Sequence, residues 1–320
     1  MNEKLAIIDL GTNTFHLLIA AYGKDGYRIS HRERTAVKIG LGGINQDIIQ
    51  EKGIERAILA LKSFKGIIDQ NSVSKIFAFG TSALRNAGNA SDVIKKIKLT
   101  TNIDVRIISG DQEAEFIYKG VRSAMDLGTD PSLIVDIGGG SVEFIIANRA
   151  EIYWKKSIEI GAQRLLEKFQ KHDPILPTEI VELNEYFEIS LKELIQNLKK
   201  FNPQSLVGSS GTFDTLSEIH CVRNFLSIKD VDSETPLTLA SFHSIYQEFI
   251  VKNRAERLLI PGMIEMRVDM IVVACCLIRF LLEQHAFRAV RVSTYSLKEG
   301  VLASIAPPNP PHLGRAREGS

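Results

Sequence analysis

The sequence predicts an α/β protein of two domains, each built on a mixed sheet, facing one another across a central cleft. Three observations predict it. Leu133-Ile-Val-Asp-Ile-Gly-Gly-Gly-Ser-Val-Glu-Phe-Ile-Ile-Ala147 reads as strand, tight glycine turn, strand. Asp9-Leu-Gly-Thr-Asn-Thr-Phe-His16 repeats its form (Asp, apolar, Gly, two small or polar residues, hydroxyl), with Asp9 and Asp136 lying 127 residues apart. Each copy runs on through a third strand-like segment, 26–39 and 151–160, into a helical pattern. A repeat of this length is a duplicated domain rather than a solenoid unit.

The loops also point to chemistry. A turn of three glycines, Gly138 to Gly140, lets backbone N–H groups approach an anion without a Cβ in the way. Carboxylates bracket it at Asp136 and Glu143, which suits a site that also holds a divalent cation or activates water. The competing reading is a plain hairpin with two solvated acids. Two such loops facing across a cleft grip a phosphate chain from both sides.

In chain order, 5–10, 15–22 and 27–38 are expected strands, with Lys24-Asp25-Gly26 as a hairpin turn. A helix is expected from about Gln46 to Asp69, on apolar residues Ile54, Ile58, Leu61, Ile67 and Ile68. Lys75–Gly80 reads as a parallel strand, after which Thr81-Ser82 cap a helix carrying Leu84 and Arg85. A strand over 104–108 precedes the turn Ser109-Gly110-Asp111 and a helix over 112–125. The segment 126–131 is the expected linker. The second domain repeats three strands and a helix over 162–170, broken by 173–177. A long helix over 178–201 follows, its acids (Glu179, Glu182, Glu185, Glu188 and Glu193) read as a solvated face. Then come a strand over 205–208, an irregular stretch over 221–236, helices over 239–253 and 261–284, a strand over 288–293 and a helix over 297–305. The polar tail, 307–320, is expected to be mobile.

Composition narrows the class. The chain has 320 residues, 44% apolar and 24% charged, with net charge +1. That charge offers no global basic field for nucleic acid or a membrane surface. Cys221, Cys275 and Cys276 are an odd, sparse set, expected to be reduced thiols in a cytoplasm. Met1-Asn-Glu-Lys enters a strand directly, so no secretory leader is expected. Met270–Leu282 is short and interrupted by Arg279, and reads as a buried core helix rather than a membrane span. Homodimers are common, and apolar residues over 239–253 hint at an interface.

Five features end a strand and open a turn or helix: the two Asp-Gly loops, Gly80-Thr81-Ser82, Ser109-Gly110-Asp111 and Gly208-Ser-Ser-Gly-Thr212. Ligands collect at such strand ends. Arg85, in the first turn of its helix, opposes the helix dipole, so either a phosphate or a neighbouring acid is its partner. Glu113 is a base or merely a favoured helix-start acid. The stretch 208–212 is an anion nest or a plain turn. Arg267 and Asp269 read as an internal ion pair or cap. His16 reads as a solvated or core histidine, with no second His or Cys at metal spacing.

These residues resemble the exopolyphosphatase and guanosine pentaphosphate phosphohydrolase family, a branch of the actin, Hsp70 and sugar-kinase superfamily. The resemblance spans 4–305. It is carried by 6–15, Thr81-Ser-Ala-Leu-Arg-Asn-Ala87, Ile108-Ser-Gly-Asp-Gln-Glu-Ala114, 135–143, 208–212, 261–269 and Ser293-Thr-Tyr-Ser-Leu-Lys-Glu-Gly300. The Asp-Gly loops fit the whole superfamily, and the segments around Arg85 and Glu113 narrow it. The resemblance implies two ribonuclease-H-like (actin-like ATPase) domains, 1–125 with a returning 300–306, and 126–299. It implies hydrolysis of a terminal phosphoanhydride with Mg²⁺. Glu113 matches the proposed catalytic acid, and Asp136 and Glu143 the acids that position metal and water. Asp9, Gly11, Thr12, Asn13, Thr14, Arg85, Gly138, Gly139, Gly140, Ser141, Gly211 and Thr212 fall where the family contacts phosphate or shapes the loops that do.

The chemistry agrees: water attacking a polyanion needs a positioned base, a screening cation and donors on the equatorial oxygens. A carboxylate beside Mg²⁺ and Arg85 is expected to stay ionised. The sequence departs from the family at Thr12 and Thr14 (usually Ser), His16 and Lys298 (often Arg), and Ser296 (often Gly). Two missing arginines weaken bidentate grip. The chain resembles the short form, without the helical C-terminal domains of longer members. The expected activity is exopolyphosphatase. The alternatives are the same chemistry on guanosine pentaphosphate, a nucleotide-binding switch or kinase, and a regulator with little turnover.

Overall fold

The computed structural model describes residues 3–23, 26–227 and 233–305. The turn at 24–26, the irregular stretch 221–236 and the tail lie partly or wholly outside them. The first half comprises β1 (Lys4–Leu10), β2 (Thr14–Gly23), β3 (Gly26–Ala36), α1 (Glu51–Gln70), β4 (Lys75–Gly80), α2 (Ser82–Asn86), α3 (Ala90–Thr101), β5 (Val105–Ile107) and α4 (Gly110–Ala124). The second half begins with β6 (Ser132–Ile137), β7 (Val142–Ala147), β8 (Ile152–Ile158), α5 (Ala162–Phe169), α6 (Pro177–Ser190), α7 (Lys192–Phe201), β9 (Ser205–Ser209) and α8 (Gly211–Arg223). It continues with β10 (Glu234–Thr235), α9 (Leu239–Val251), α10 (Arg254–Leu258), α11 (Ile271–Gln284), β11 (Ala289–Ser293) and α12 (Leu297–Ile305).

Among the described residues the first sheet has the order β3-β2-β1-β4-β5 and the second β10-β11-β9-β6-β7-β8. In each, an antiparallel meander is followed by parallel strands added beside its first member. This repeated order is that of two ribonuclease-H-like domains. Strand burial explains the sheets: all six residues of β6 and of β7 are buried, as expected of strands covered on both faces.

The apolar residues form three cores. One lies between the first sheet and α1 and α3, and one between the second sheet and α5 to α9 and α11. The third joins the halves: Ile7, Leu18 and Phe79 meet Ile134, Ile145 and Val207 through α4 and α12. Helix α12 crosses α4 so closely that a Cβ on Gly300 would stand 1.7 Å from Phe116 O, and one on Gly120 2.0 Å from Ser296 O. The last helix thus packs on an element of the first half.

Several boundaries differ from the sequence reading. The chain makes a 3-10 turn over Ile44–Gln46, reverses at Asp47 (φ 51°) and starts α1 only at Glu51. The cause is tight folding-back, with Gly43 against Ile48 O. The segment after Gly80 holds two helices, the second of which, α3, the sequence reading omits. The long helix breaks at Leu191, whose buried side chain joins Phe187 and Leu194 in the core. Gly262, at φ +90° against Ile219, delays the last long helix to Ile271. Glu179 is buried, accepting from Lys171 N and Leu176 N, and is no part of a solvated face. Phe242, Ile245 and Phe249 of α9 belong to the second core, while Val251 at its end is exposed. Met270–Leu282 is the buried core segment expected. Among the described residues no helix is long and apolar enough to cross a membrane.

The α4–α12 crossing is testable. Gly300→Ala forces the helices apart and costs about 1–3 kcal/mol, read as a lower denaturant midpoint. An unchanged midpoint would contradict the close crossing.

Candidate functional site

Both hairpin loops fold by the same local rule. Gly11 and Gly138 each sit under the carbonyl three residues on: a Cβ would stand 2.8 Å from Thr14 O in one and 2.9 Å from Ser141 O in the other. No side chain fits there, so the repeated glycine is a packing requirement. The registers match too. Asp9 pairs with His16 across β1 and β2, and Asp136 with Glu143 across β6 and β7. The first half therefore carries a histidine where the second carries an acid.

The start of α5 holds the second loop. Gly161 N, Ala162 N and Gln163 N donate to Gly140 O, Gly138 O and Gly139 O at 2.9 Å each. With these carbonyls committed, the N–H groups of Gly139 and Gly140, like those of Thr12 and Asn13 opposite, make no hydrogen bond among the described residues. They remain free for a ligand's oxygens. The two loops meet: a Cβ on Gly139 would lie 2.5 Å from Asn13 Nδ2, and one on Gly140 2.7 Å from Thr12 Oγ1. Glycine here admits the opposite loop as well as an anion.

Between the loops lies a cavity of about 70 Å³, lined by Asp9, Gly11 to Thr14, His16, Glu113, Asp136, Gly138 to Ser141, Glu143, Ser210 and Arg267, with neighbours. The structure thus brings most of the expected site residues together. Ser109 caps α4, with Gln112 reciprocating, and this presents Glu113 to the cavity. Glu113 Oε2 accepts from Arg85 Nη1 at 2.8 Å. Arg85 is therefore neither a surface residue nor unpartnered. Because α2 is only five residues long and Arg85 is near its end, the dipole argument does not apply. The hydroxyls expected to cap α2 go elsewhere: Thr81 Oγ1 donates to Leu10 O, and Ser82 Oγ to Glu159 Oε2 at 2.5 Å.

Asp136 accepts from Ser209 Oγ and Ser210 Oγ, each at 2.6 Å. Ser210 adopts φ 70° to do so. Glu143 Oε1 accepts from Ser141 Oγ and Ser157 Oγ, each at 2.7 Å. The Asp9 Oδ1 is buried and has no hydrogen-bond partner among the described residues. Arg85, Gly211 and Thr212 are not among the residues lining the cavity. Gly211 instead leaves room for the Arg267 guanidinium, which a Cβ would meet at 2.2 Å. Arg267 itself lines the cavity and, among the described residues, makes no side-chain hydrogen bond or close ion pair, its attraction to the acids Asp214 and Asp136 being longer-ranged; this differs from the internal ion pair or cap expected. Asp269 does pair, with Lys38 at 3.3 Å and Arg254 at 2.7 Å. Sequence reasoning also passed over Ser157, Glu159 and Ser209. Ser157 and Glu159 alternate along the end of β8, which is the one signal that could have flagged them.

Burial dominates the electrostatics. It pushes Asp9 up to about 7, with Lys298 opposing and Asp136 adding to the rise. It pushes Glu113 up to about 8 against the pull of Arg85. Asp136 is raised despite its two serines, and Glu143 is raised well above the ordinary range by burial and then by Glu113 and Asp136. The expected ionised Glu113 thus needs a cation beyond Arg85. His16 is held neutral by burial and by Lys298, Arg267 and Arg34. Among the described residues no three His, Cys, Asp or Glu side chains converge on a metal position. The donor set still fits Mg²⁺, which is commonly held by one or two carboxylates together with substrate phosphates and water. Asp9, with an orphaned buried oxygen, joins Asp136 and Glu143 as a carboxylate available to it.

The sequence profile of the Ppx/GppA phosphatase family matches residues 18–309. The chain belongs to the Ppx/GppA phosphatase family. It superposes on the crystal structure of an exopolyphosphatase from Cytophaga hutchinsonii with a TM-score of 0.92, at 44% identity over 94% of this chain and 97% of that one. It is 37% identical over 221 residues to the bifunctional 3-dehydroquinate synthase/phosphatase of Fusobacterium nucleatum, covering 66% of this chain and 33% of that protein. It is 28% identical over 302 residues to the guanosine-5'-triphosphate,3'-diphosphate pyrophosphatase of Pseudoalteromonas translucida, covering 94% of this chain and 59% of that protein. This family member therefore spans a third and rather more than half, respectively, of those two relatives.

The raised acids make stability pH-dependent. Unfolded chain releases the Asp9 and Glu113 protons at ordinary values of 3.8 and 4.5, folded chain only at about 7 and about 8. Between these limits the folded state binds more protons, so stability falls as pH rises through the window. Thermal denaturation in chelator should show this fall from pH 5 to 8, and a shallower one in Glu113→Gln. A flat wild-type profile would deny that the acids are buried together.

Proposed function

We propose that this chain is an exopolyphosphatase. It hydrolyses the terminal phosphoanhydride of inorganic polyphosphate with Mg²⁺, releasing orthophosphate and a chain one unit shorter. The observation that carries this reading is Glu113, a buried acid held by Arg85 and opening on a cavity of free N–H donors and carboxylates. The terminal phosphate enters between the loops, and Thr12, Asn13, Gly139 and Gly140 donate to its oxygens. Arg267 adds a positive charge from the far wall. Glu113 orients the attacking water and takes its proton as the P–O bond to the chain breaks. A carboxylate raised by burial is a stronger base than an exposed one once ionised. Asp9, Asp136 and Glu143 would hold Mg²⁺, which would supply charge screening for the chain and favour the ionised form of these acids. The leaving chain departs as an anion and needs no proton.

Guanosine pentaphosphate is the second reading, supported by the named activity of the Pseudoalteromonas relative. The cavity of about 70 Å³ has room for a terminal phosphate, the group that both substrates present. The third reading, a regulator with little turnover, has in its favour only His16 and Lys298 in place of arginines. Three free, buried thiols favour a cytoplasmic setting.

Phosphate release with Mg²⁺ from long polyphosphate, tripolyphosphate, guanosine pentaphosphate and ATP tests the reading. Fast release from polyphosphate is expected, with a loss of at least about a hundredfold in Glu113→Gln. Normal turnover in that variant would remove Glu113 from the mechanism, and silence on all four substrates would favour the regulator. Arg267→Ala is expected to raise KM about tenfold or more with a smaller effect on kcat. An unchanged KM would place Arg267 outside the phosphate site. Arg85→Ala is expected to raise KM and, by releasing Glu113, also to lower kcat.

A further inference from the structure

Both ends of the Arg85 guanidinium are already engaged. Nη1 donates to Glu113 Oε2 at 2.8 Å and to Ile108 O at 3.3 Å. Nη2 donates to Glu159 Oε1 at 3.1 Å and to Ser141 Oγ at 3.5 Å. A phosphate oxygen reaches either end only by displacing one of these acceptors. Ile108 O is fixed in the backbone, and the Ser141 hydroxyl is tied to Glu143. Of the two carboxylates, the Glu113 side chain is 10% exposed and the Glu159 side chain 37% exposed. Glu159 is the partner with access to solvent and therefore the one that can be exchanged. Its other oxygen accepts from Ser82 Oγ at 2.5 Å and pairs with Arg164 at 3.4 Å. Glu159 thus has somewhere to stay when Arg85 is taken.

We infer that Glu159 is a positioning residue that holds Arg85 between turnovers and competes with the substrate's terminal phosphate for it. This inference rests on the phosphatase reading above. The carboxylate occupies the place of a phosphate oxygen, so every phosphate anion that uses Arg85 first displaces it. Substrate and product carry the same penalty. On product release Glu159 returns to Nη2 and keeps the guanidinium aimed at Glu113. The exchange also acts between the two halves. Ser82 and Arg85 belong to the first half, Glu159 and Arg164 to the second, and Arg164 reaches back to Ile44 O and Asp47. Taking Arg85 from Glu159 therefore loosens one of the ties that close the cleft.

Glu159→Gln tests this, since glutamine keeps the size and the Ser82 hydrogen bond but loses the charge. KM for tripolyphosphate and the inhibition constant for orthophosphate should both fall about three- to tenfold, the range for a partly exposed charge pair, with kcat changing less. In an Arg85→Ala background the same substitution should move neither constant. A KM that rises or stays unchanged in Glu159→Gln, or falls equally without Arg85, would overturn the inference. Glu159→Asp, which withdraws the carboxylate from Arg85, carries the same expectation should the glutamine variant fail to fold. Calorimetric titration with tripolyphosphate separates this idea from the activity. A wild type that hydrolyses nothing defeats the phosphatase reading, yet the glutamine variant must still bind the anion more tightly.

Discussion

Asp9, Glu113, Asp136 and Glu143 crowd one cleft, and burial raises the pKa of each. Much of the surrounding structure serves to make that crowding tolerable. Four serine hydroxyls are committed to two of the acids, Ser209 and Ser210 to Asp136, Ser141 and Ser157 to Glu143. Arg85 supports a third. Asp9 has no such partner, and only Lys298 lowers its pKa. A buried polar group without a hydrogen bond is costly. That cost is concentrated at Asp9 Oδ1, which is buried without a partner among the described residues.

The two halves are copies in backbone and have diverged in chemistry. Gly11 and Gly138 solve one packing problem in the same way, and the strand registers beside them are equivalent. On the paired strand, the first copy carries a neutral His16 and the second an acidic Glu143. Duplication supplies the facing loops, and divergence makes one wall the more acidic. The asymmetry suits a reaction in which water and metal belong to one face of the phosphate.

The halves are tied by apolar and polar means that act on different parts of the molecule. The core around α4 and α12 packs the base of the cleft with Ile7, Phe79, Ile134 and Val207. The mouth is held by polar ties: Ser82 to Glu159, Arg164 to Ile44 O, Gly42 N to Glu167 and Lys38 to Asp269. Dense apolar packing resists separation, whereas solvated hydrogen bonds exchange readily.

The duplicated α/β architecture, the two Asp-Gly loops, the buried helix near Met270 and the acids Glu113, Asp136 and Glu143 were legible in the sequence. These rest on local periodicity or on the Asp-Gly motif that repeats after 127 residues, except Glu113, which only the family resemblance separated from an ordinary helix-start acid. Helix boundaries near Leu191 and Gly262 were not legible, because long-range packing against the second core and Ile219 sets them, and the one near Asp47 depends on a tight turn that folds Gly43 against Ile48. The same holds for partners. Arg85 could be read as bound either to phosphate or to an acid, and the fold decides for two acids, one from each half. Arg267 read as an internal ion-pair or cap residue, yet the fold places its guanidinium over Gly211 at the cavity, without a close ion pair among the described residues. A sequence determines which groups are present and how each segment folds locally. Which charges are neutralised, and which are left for a ligand, depends on residues brought together from distant strands, and only the tertiary structure decides that.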